Sequence, residues 1–311
     1  MLALKKVLHA LSPNELKTIR AEIDQMAGRV RAVEIIESRM DESTGCPHCG
    51  SHHRVRNGSA NGLQRYRCKG CRRTFNALTG TPLARLHQRG KWAAHMQALI
   101  DGLTLDGVAD RLSICHDTAF RWRHRFLETQ QSIQAKKLNG LVEADQTYML
   151  ESNKGKKVVD RKPRKRGGKA KKRGLSKEQV PILVVRDRSG ATLSTRLEAD
   201  NADTITKVME WRLASDAILC TDSSKTLAAV AKRMNVPHRP VNLAAGVRVI
   251  ERVFHVQNVN AFDSRLKGWM VRFKGVATKY LESYLGWFRT LDRSGDNVLK
   301  PASFLASAMA V

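Results

Sequence analysis

Two Cys-x-x-Cys pairs are the first residues able to do chemistry in this chain: Cys46-Pro47-His48-Cys49 and Cys68-Lys69-Gly70-Cys71. Each pair can clip a tight turn around one ion, and four thiolates at this spacing suit tetrahedral zinc. Four protein ligands leave no open coordination position, so the expected role is structural. Two disulfides are the competing reading. The opening Met1-Leu2-Ala3-Leu4-Lys5-Lys6 lacks the long apolar stretch of a secretory signal, which favours a reducing compartment and hence zinc. His48, His52 and His53 read as solvated, although one of them could replace a thiolate.

The second group uses oxygen. Asp145 closes an apolar run after Val142 and Ala144, and Asp222 closes Ala217-Ile218-Leu219-Cys220-Thr221. Carboxylates at adjacent strand ends can share hard divalent ions such as Mg²⁺, which suits phosphodiester chemistry. An isolated Asp in such a place is more often a turn residue, and Asp222-Ser223-Ser224 also reads as a helix cap. Further on, Asn260 and Lys267 are seven residues apart, two helical turns, so they project from one face. Val259, Phe262, Leu266 and Phe273 form the apolar stripe beside them. Glu251 is the competing third carboxylate, but it lacks the seven-residue offset to Lys267.

These residues need elements to hold them. Ser12-Pro13-Asn14-Glu15 is a helix start with a capping-box pattern. Behind it Leu16, Ile19, Ile23, Met26, Val30 and Val33 repeat in steps of three and four. That stripe fits either coiled-coil pairing or packing within the chain. Between the cysteine pairs, Arg54 to Tyr66 reads as a β-hairpin turning at Asn57-Gly58, so residues 41–80 form a zinc ribbon after a helical segment 1–40. Residues 81–138 carry helices at 92–100, 105–112 and 116–127, and the last two resemble a helix-turn-helix. Ala119, Trp122 and Phe126 would face its core, leaving Thr118, Arg121, Arg123 and Arg125 for phosphates and base edges. An ordinary three-helix bundle with a basic face is the alternative. From residue 139 to 292 strands at 141–148, 180–186, 192–197, 217–221 and 238–243 alternate with helices at 203–214, 224–234, 258–273 and 279–291. This pattern predicts an α/β domain with a mixed sheet, followed by a tail at 293–311.

The formal net charge is +26, which calls for a polyanionic partner. Lys154 to Arg173 holds twelve Lys or Arg in twenty residues and reads as a basic loop for phosphate backbone, with Lys165, Arg166, Lys171 and Lys172 among its contacts. No apolar run approaches the ~20 residues of a membrane span, so nucleic acid is the expected partner.

The combination of motifs resembles bacterial insertion-sequence transposases. It joins the cysteine pairs, Glu143-Ala144-Asp145-Gln146-Thr147-Tyr148, Thr221-Asp222, His255-Val256-Gln257-Asn258-Val259-Asn260-Ala261-Phe262 with Leu266-Lys267, and Gly275 to Trp287. The chain is most similar to insertion-sequence family 1595, over about residues 40 to 292. The resemblance implies a zinc ribbon and helix-turn-helix ahead of a ribonuclease-H-like catalytic domain of the DDE superfamily. It implies cleavage and strand transfer of double-stranded DNA at terminal inverted repeats and target DNA, with Mg²⁺ or Mn²⁺ held by Asp145, Asp222 and Asn260, and Lys267 on phosphate. Asn260 stands where many relatives carry Glu. A homodimer or higher oligomer on DNA and a cytoplasmic, nucleoid-associated location would go with this activity. A non-catalytic DNA-binding regulator derived from a transposase is the alternative, and a charge-driven nucleic-acid chaperone is a third reading.

Overall fold

Ser12 starts the first helix, α1 (Pro13–Glu37), with the reciprocal pair of a capping box. The Glu15 N–H donates to Ser12 Oγ at 3.4 Å and the Ser12 N–H donates to Glu15 Oε2 at 2.8 Å. Two amides that a helix start leaves open are thereby satisfied. Ala32 and Ile36 are its buried residues. Along the apolar stripe Ile23, Met26 and Val30 are 58%, 70% and 59% exposed, so packing within the described chain does not account for these positions. The computed structural model describes residues 11–41, 44–157, 168, 170–171, 176, 178–294 and 299–310.

The ribbon is a three-stranded antiparallel sheet, β1 (Arg54–Ala60), β2 (Leu63–Cys68) and β3 (Thr74–Phe75). Its turn differs from the sequence expectation. Asn61-Gly62, not Asn57-Gly58, joins β1 to β2. Asn61 and Gly62 have φ of 52° and 75°, the pair of positive values that a type I′ hairpin turn requires. Asn57-Gly58 falls where the β1–β2 register shifts between Arg56 and Ser59, with Gly58 at φ 70°. The earlier Asn-Gly is thus an irregularity within the strand, and the later one makes the turn.

Three helices follow: α2 (Trp92–Ile100), α3 (Leu105–Leu112) and α4 (His116–Leu127). Ser113, with φ 48°, ends α3 in the left-handed region and turns the chain toward α4. Ala119, Trp122 and Phe126 are buried as the helix pattern requires. Phe126 meets Trp92 edge-on at 5.4 Å and His95 at 5.0 Å. His95 is completely buried, and burial pushes its imidazole down to about 3, so it packs as a neutral ring. The C-terminal helix Pro301–Ser307 packs on α2 and α1. Residues 1–129 and 298–311 cluster as one unit and residues 130–297 as another.

The second unit is built on a five-stranded mixed sheet. Its strands are β4 (Leu141–Leu150), β5 (Gln179–Asp187), β6 (Thr192–Arg196), β7 (Ile218–Asp222) and β8 (His238–Val241), in spatial order β6-β5-β4-β7-β8. β4, β5 and β6 pair antiparallel, while β7 runs parallel to both β4 and β8. Parallel neighbours need crossovers, supplied by α5 (Ala202–Met209) before β7 and α6 (Lys225–Arg233) before β8. α5 ends five residues earlier than the apolar spacing predicts. Leu138 captures the next turn, accepting from the Ala214 N–H at 2.9 Å and donating to Arg212 O at 2.8 Å.

Alternation along the strands divides the sheet into two faces. Val142, Ala144, Leu183, Val185, Leu193 and Leu219 join Ile205 and Met209 of α5 and Leu227 and Val230 of α6 in one core. Glu143, Asp145 and Arg186 therefore point to the opposite face, where α7 (Gln257–Val271) packs on β4 and β5 through Val259, Phe262 and Leu266. α8 (Leu281–Ser294) lies beside α7 and against β6. Asp292 of α8 ties three elements together, pairing with Arg186 of β5 and Arg265 of α7, each at 2.6 Å. No described helix is long and apolar enough to cross a membrane.

Arg289 and Gly286 fasten α8 to the start of this unit. Arg289 is 4% exposed and donates to Ile133 O and Ser194 O at 2.9 Å, with longer bonds to Gln130 O and Gln131 O at 3.3 Å. Burial pulls its guanidinium down to about 10, against the opposing charge of Glu282. Gly286 allows the approach, because a Cβ there would lie 2.3 Å from Gln130 O. Gly286→Ala is expected to destabilise the protein by about 1–3 kcal/mol, read as a lower urea midpoint. An unchanged midpoint would show that segment 130–131 yields freely.

Candidate active site and metal centres

The Sγ atoms of Cys46, Cys49, Cys68 and Cys71 all lie within 4.8 Å of one another. Among the described residues this is the one such set of three or more His, Cys, Asp or Glu ligand atoms. Cys46 and Cys71 are 3.7 Å apart at sulfur, and Cys49 and Cys68 are 3.6 Å apart. A disulfide requires about 2.05 Å. The edge of a tetrahedron with metal–sulfur bonds of ~2.3 Å is roughly 3.8 Å. The thiols are free, and their spacing is that of ligands around one tetrahedral ion, so the set could bind zinc. The backbone prepares it: the His48 N–H points at Cys46 Sγ at 3.4 Å and the Cys71 N–H at Cys68 Sγ at 3.5 Å. The Cys71 amide is the main influence holding the Cys68 thiol down at about 6. Cys46 and Cys68 are themselves buried with Phe75, beside Tyr66 and Met40.

The oxygen site grows out of one strand register. Parallel β4 and β7 align Leu141 with Ile218, Glu143 with Cys220 and Ala144 with Thr221. One further step of that register brings Asp145 level with Asp222, on the same face of neighbouring strands ~4.8 Å apart. Burial is the chief cause that raises the Asp145 carboxyl to about 6. Asp222 raises it further, while the Gln146 amide and Lys267 oppose the shift. The Gln146 N–H donates to Asp145 Oδ1 at 2.7 Å, and the Ser224 N–H donates to Asp222 Oδ1 at 3.1 Å. Asp222 thus turns the chain toward α6 without capping it: the cap is Ser224, whose Oγ accepts from the Leu227 N–H at 3.4 Å. Lys267 is exposed, two turns along α7 from the exposed Asn260.

α7 is fixed to this strand by Glu143, two residues before Asp145. The residue at the N-cap of α7, Val256, offers no side-chain bond, and His255 Nδ1 meets only the Gln257 N–H, at 3.2 Å. The Glu143 carboxylate caps the helix from the sheet, accepting from the amides of Asn258 and Val259 at 2.8 and 3.0 Å and from Asn258 Nδ2 at 3.0 Å. Arg188 balances its charge at 2.9 Å and also donates to His255 Nε2 at 2.6 Å. Position 143 alone gives no hint of this role, since a buried Glu in a strand is legible only once its partners are known.

Asp263 is a further site residue that spacing did not single out. It is one turn after Asn260 and one before Lys267, and it is 5% exposed. Burial and then the charge of Asp145 raise its carboxyl to about 7, against Lys267. Its Oδ1 is buried with no hydrogen-bond partner. Beside the carboxylates, Asp200 accepts from Gln146 Nε2 and from the Tyr148 hydroxyl, both at 2.7 Å.

In the first unit, ribbon and helices share a groove of about 1050 Å³. Thr118, Arg121 and Arg125 of α4 line it, facing Arg85, His87 and Arg89. Arg125 is partly engaged by Pro82 O and Ala84 O. Arg85 and Arg89 were not foreseen as site residues, because they lie in irregular chain where periodicity says nothing. Arg123 departs from its expected role: it is 1% exposed and donates to Leu103 O at 2.6 Å, so it braces the helices from inside. Lys171 is exposed and its N–H donates to Glu178 Oε2. Lys165, Arg166 and Lys172 lie outside the described residues. Glu251 occupies an exposed turn at φ 51°.

Residues 137–289 match the model of the ISXO2-like transposase domain. A curated relative, the uncharacterized protein in transposable element ISH50 of Halobacterium salinarum, is 26% identical over 248 residues, covering 78% of this chain and 83% of that protein. Among solved structures, the Mos1 transposase paired-end complex with left transposon end is 14% identical, with a TM-score of 0.20 over 65% of this chain and 76% of that one. The Mos1 strand transfer complex is also 14% identical, with a TM-score of 0.20 over 70% and 78%. At these TM-scores the superpositions are too loose to carry residue positions across.

Asp145 and Asp263 make stability depend on pH. Their folded values of about 6 and about 7 exceed the ordinary 3.8. The folded chain therefore keeps protons that the unfolded chain has released, so their contribution is whole below about pH 4 and is lost as pH rises through 6 to 7. In Mg²⁺-free buffer Tm is expected to fall from pH 5 to 7.5, and Asp145→Asn or Asp263→Asn should flatten that fall. A profile identical in the variants would contradict the assignment.

Proposed function

Residues 137–289 of this chain make up an ISXO2-like transposase domain of insertion-sequence family 1595, and from that premise we propose that the protein is a DNA transposase. It binds the terminal inverted repeats of its element and, with a divalent metal, cuts and joins DNA strands. The observation that carries this reading is the in-register pair Asp145 and Asp222 on parallel strands, with Lys267 acting on Asp145 from α7. The order of three antiparallel strands followed by two parallel ones supports a ribonuclease-H-like sheet.

The donor set suits hard cations, because Asp145, Asp222 and Asn260 offer oxygen only. Burial leaves the Asp145 charge poorly solvated, and a dication would compensate it. Bound Mg²⁺ or Mn²⁺ would supply Lewis acidity, activating water or a 3′-hydroxyl toward phosphorus and neutralising the leaving oxygen. Asp145 and Asp222 are the principal ligands in this reading. Asn260 assists with a neutral carbonyl oxygen and cannot act as a carboxylate base. Lys267 binds a phosphate oxygen and stabilises the charge that develops on it. Gln146, held by Asp200 and accepting from Ser224 Oγ, keeps the middle of β4 aligned with the segment that follows β7.

The groove lined by Thr118, Arg121, Arg125, Arg85 and Arg89 supports DNA binding by the ribbon and helices of residues 41–138. The basic segment 154–173 adds backbone contacts. The uncovered stripe of α1 supports pairing with a second copy, as a transposase acting on two ends requires. Zinc in the Cys46, Cys49, Cys68 and Cys71 set is structural.

A non-catalytic regulator would keep the same groove and zinc ribbon but would not need two buried-edge carboxylates facing a lysine. Cleavage of a terminal-repeat oligonucleotide with Mg²⁺ separates the two. Asp145→Ala and Asp222→Ala should each abolish cleavage while sparing DNA affinity, and Asn260→Ala should reduce it severely but incompletely. Wild-type protein that binds the repeat and never cuts it would favour the regulator. If Glu251→Ala is inactive and Asn260→Ala retains full activity, the third ligand is misassigned.

Metal analysis should find about one zinc per chain, lost in the Cys46→Ser/Cys49→Ser variant. That variant is expected to lose repeat-specific binding before it loses non-specific affinity, since the groove's ribbon wall depends on the ion. Stoichiometric zinc in the double variant would refute the site.

A further inference from the structure

We infer that Asp263 is a carboxylate ligand of the divalent metal held by Asp145, a role that neither the motif spacing nor Asn260 accounts for; this rests on the catalytic reading above. Along α7, Asn260, Asp263 and Lys267 occupy positions i, i+3 and i+7, one helix face. Their environments differ. Asn260 and Lys267 are exposed, whereas Asp263 is 5% exposed, lodged between Phe262 and Leu266, which are fully buried.

A buried carboxylate is ordinarily paired with a cation or hydrogen-bonded on both oxygens. The protein follows that rule elsewhere on this face: Glu143 has Arg188 and the α7 amides, and Asp292 has Arg186 and Arg265. Asp263 departs from it. Its Oδ1 is inaccessible to solvent and has no hydrogen-bond partner. The charged groups that bear on it are Asp145, which repels it, and Lys267. Lys267 makes no ion pair with it within the salt-bridge distance among the described residues. A buried, unpartnered carboxylate oxygen under the charge of a second carboxylate is an arrangement that a shared dication satisfies on both sides. It also supplies the negative charge that Asn260 lacks, and its hard oxygen suits Mg²⁺ or Mn²⁺. Asp263 is then the reason that an asparagine suffices at position 260.

The test uses Mn²⁺ bound to the full-length zinc-loaded chain, followed by electron paramagnetic resonance titration, with Mg²⁺-induced change in Tm as a second readout. Asp263→Asn keeps the shape and removes the charge. It should weaken Mn²⁺ binding at least tenfold, while Asn260→Ala weakens it no more than about threefold. Asp263→Leu fills the same space without an oxygen. It should unfold at or above the wild-type temperature in the absence of Mg²⁺, because an unpartnered polar atom is gone, yet lose most of the Mg²⁺-induced rise. Zinc content and affinity for the terminal repeat should be unchanged in both. Wild-type Mn²⁺ affinity in Asp263→Asn, an undiminished Mg²⁺ rise in Asp263→Leu, or a marked loss of metal-free stability in Asp263→Leu would each overturn the assignment. If the wild-type chain takes up Mn²⁺ and cleaves while the Asp263 variants match it, only this assignment falls. If the wild-type chain takes up no Mn²⁺, the catalytic reading falls as well.

Discussion

The Glu143 carboxylate is the joint on which the second unit's geometry turns. A helix begins with amides that lack partners within it, and the N-cap residue of α7, Val256, has no side chain to meet them. Glu143 accepts two of those amides and the Asn258 side chain from the middle strand of the sheet. The positive end of the helix dipole and the Arg188 guanidinium share its charge. This fixes the height and the rotation of α7 together. Asp145 is two residues along the same strand and therefore on the same face. The strand that carries Asp145 thus also sets where Asn260, Asp263 and Lys267 stand relative to it.

Around that joint the molecule sorts its metal chemistry by ligand type. The cysteine set is soft, closed and prepared by backbone amides, and it belongs to a module whose small core needs a staple. The oxygen site is looser and lies between the middle of β4 and the end of β7, with one exposed amide, one exposed ammonium and two carboxyls whose ionisation the fold resists. Such a site is poised by its own electrostatic cost, which a cation offsets. The difference suits the tasks proposed for them: holding a hairpin shut requires complete coordination, whereas acting on phosphate requires room for the substrate.

Much of this could be read from residue order, and what could not has a physical explanation. The cysteine spacing is local, so the four-thiol set was legible directly. So was the strand ending at Asp222, because apolar alternation and a terminal acid are also local, whereas Asp145, read as closing its apolar run, lies in the middle of β4, whose pairing with β5 continues to Leu150. The hairpin turn was misplaced because two Asn-Gly dipeptides compete within six residues, and only strand pairing selects Asn61-Gly62. Arg123 looked like a surface cation until Leu103 O engaged it inside the bundle. Glu143, Asp263 and Arg289 were illegible for one shared reason: each is a buried ionisable group whose partners are far away in sequence, and periodicity assigns such residues to solvent.

The opposition between fold and charge at Asp145 has an evolutionary corollary. Losing that acid by substitution removes a strained ionisation from the interior, so on the transposase reading a chemically dead descendant would fold at least as readily as its active parent and would keep its basic groove. Losing one residue from the strand between positions 143 and 145 is different. Every side chain beyond the deletion would exchange faces, and the helix anchor would be parted from the acid it serves. Lineages that shed activity are therefore expected to persist as point mutants and to disappear as frame-preserving deletions.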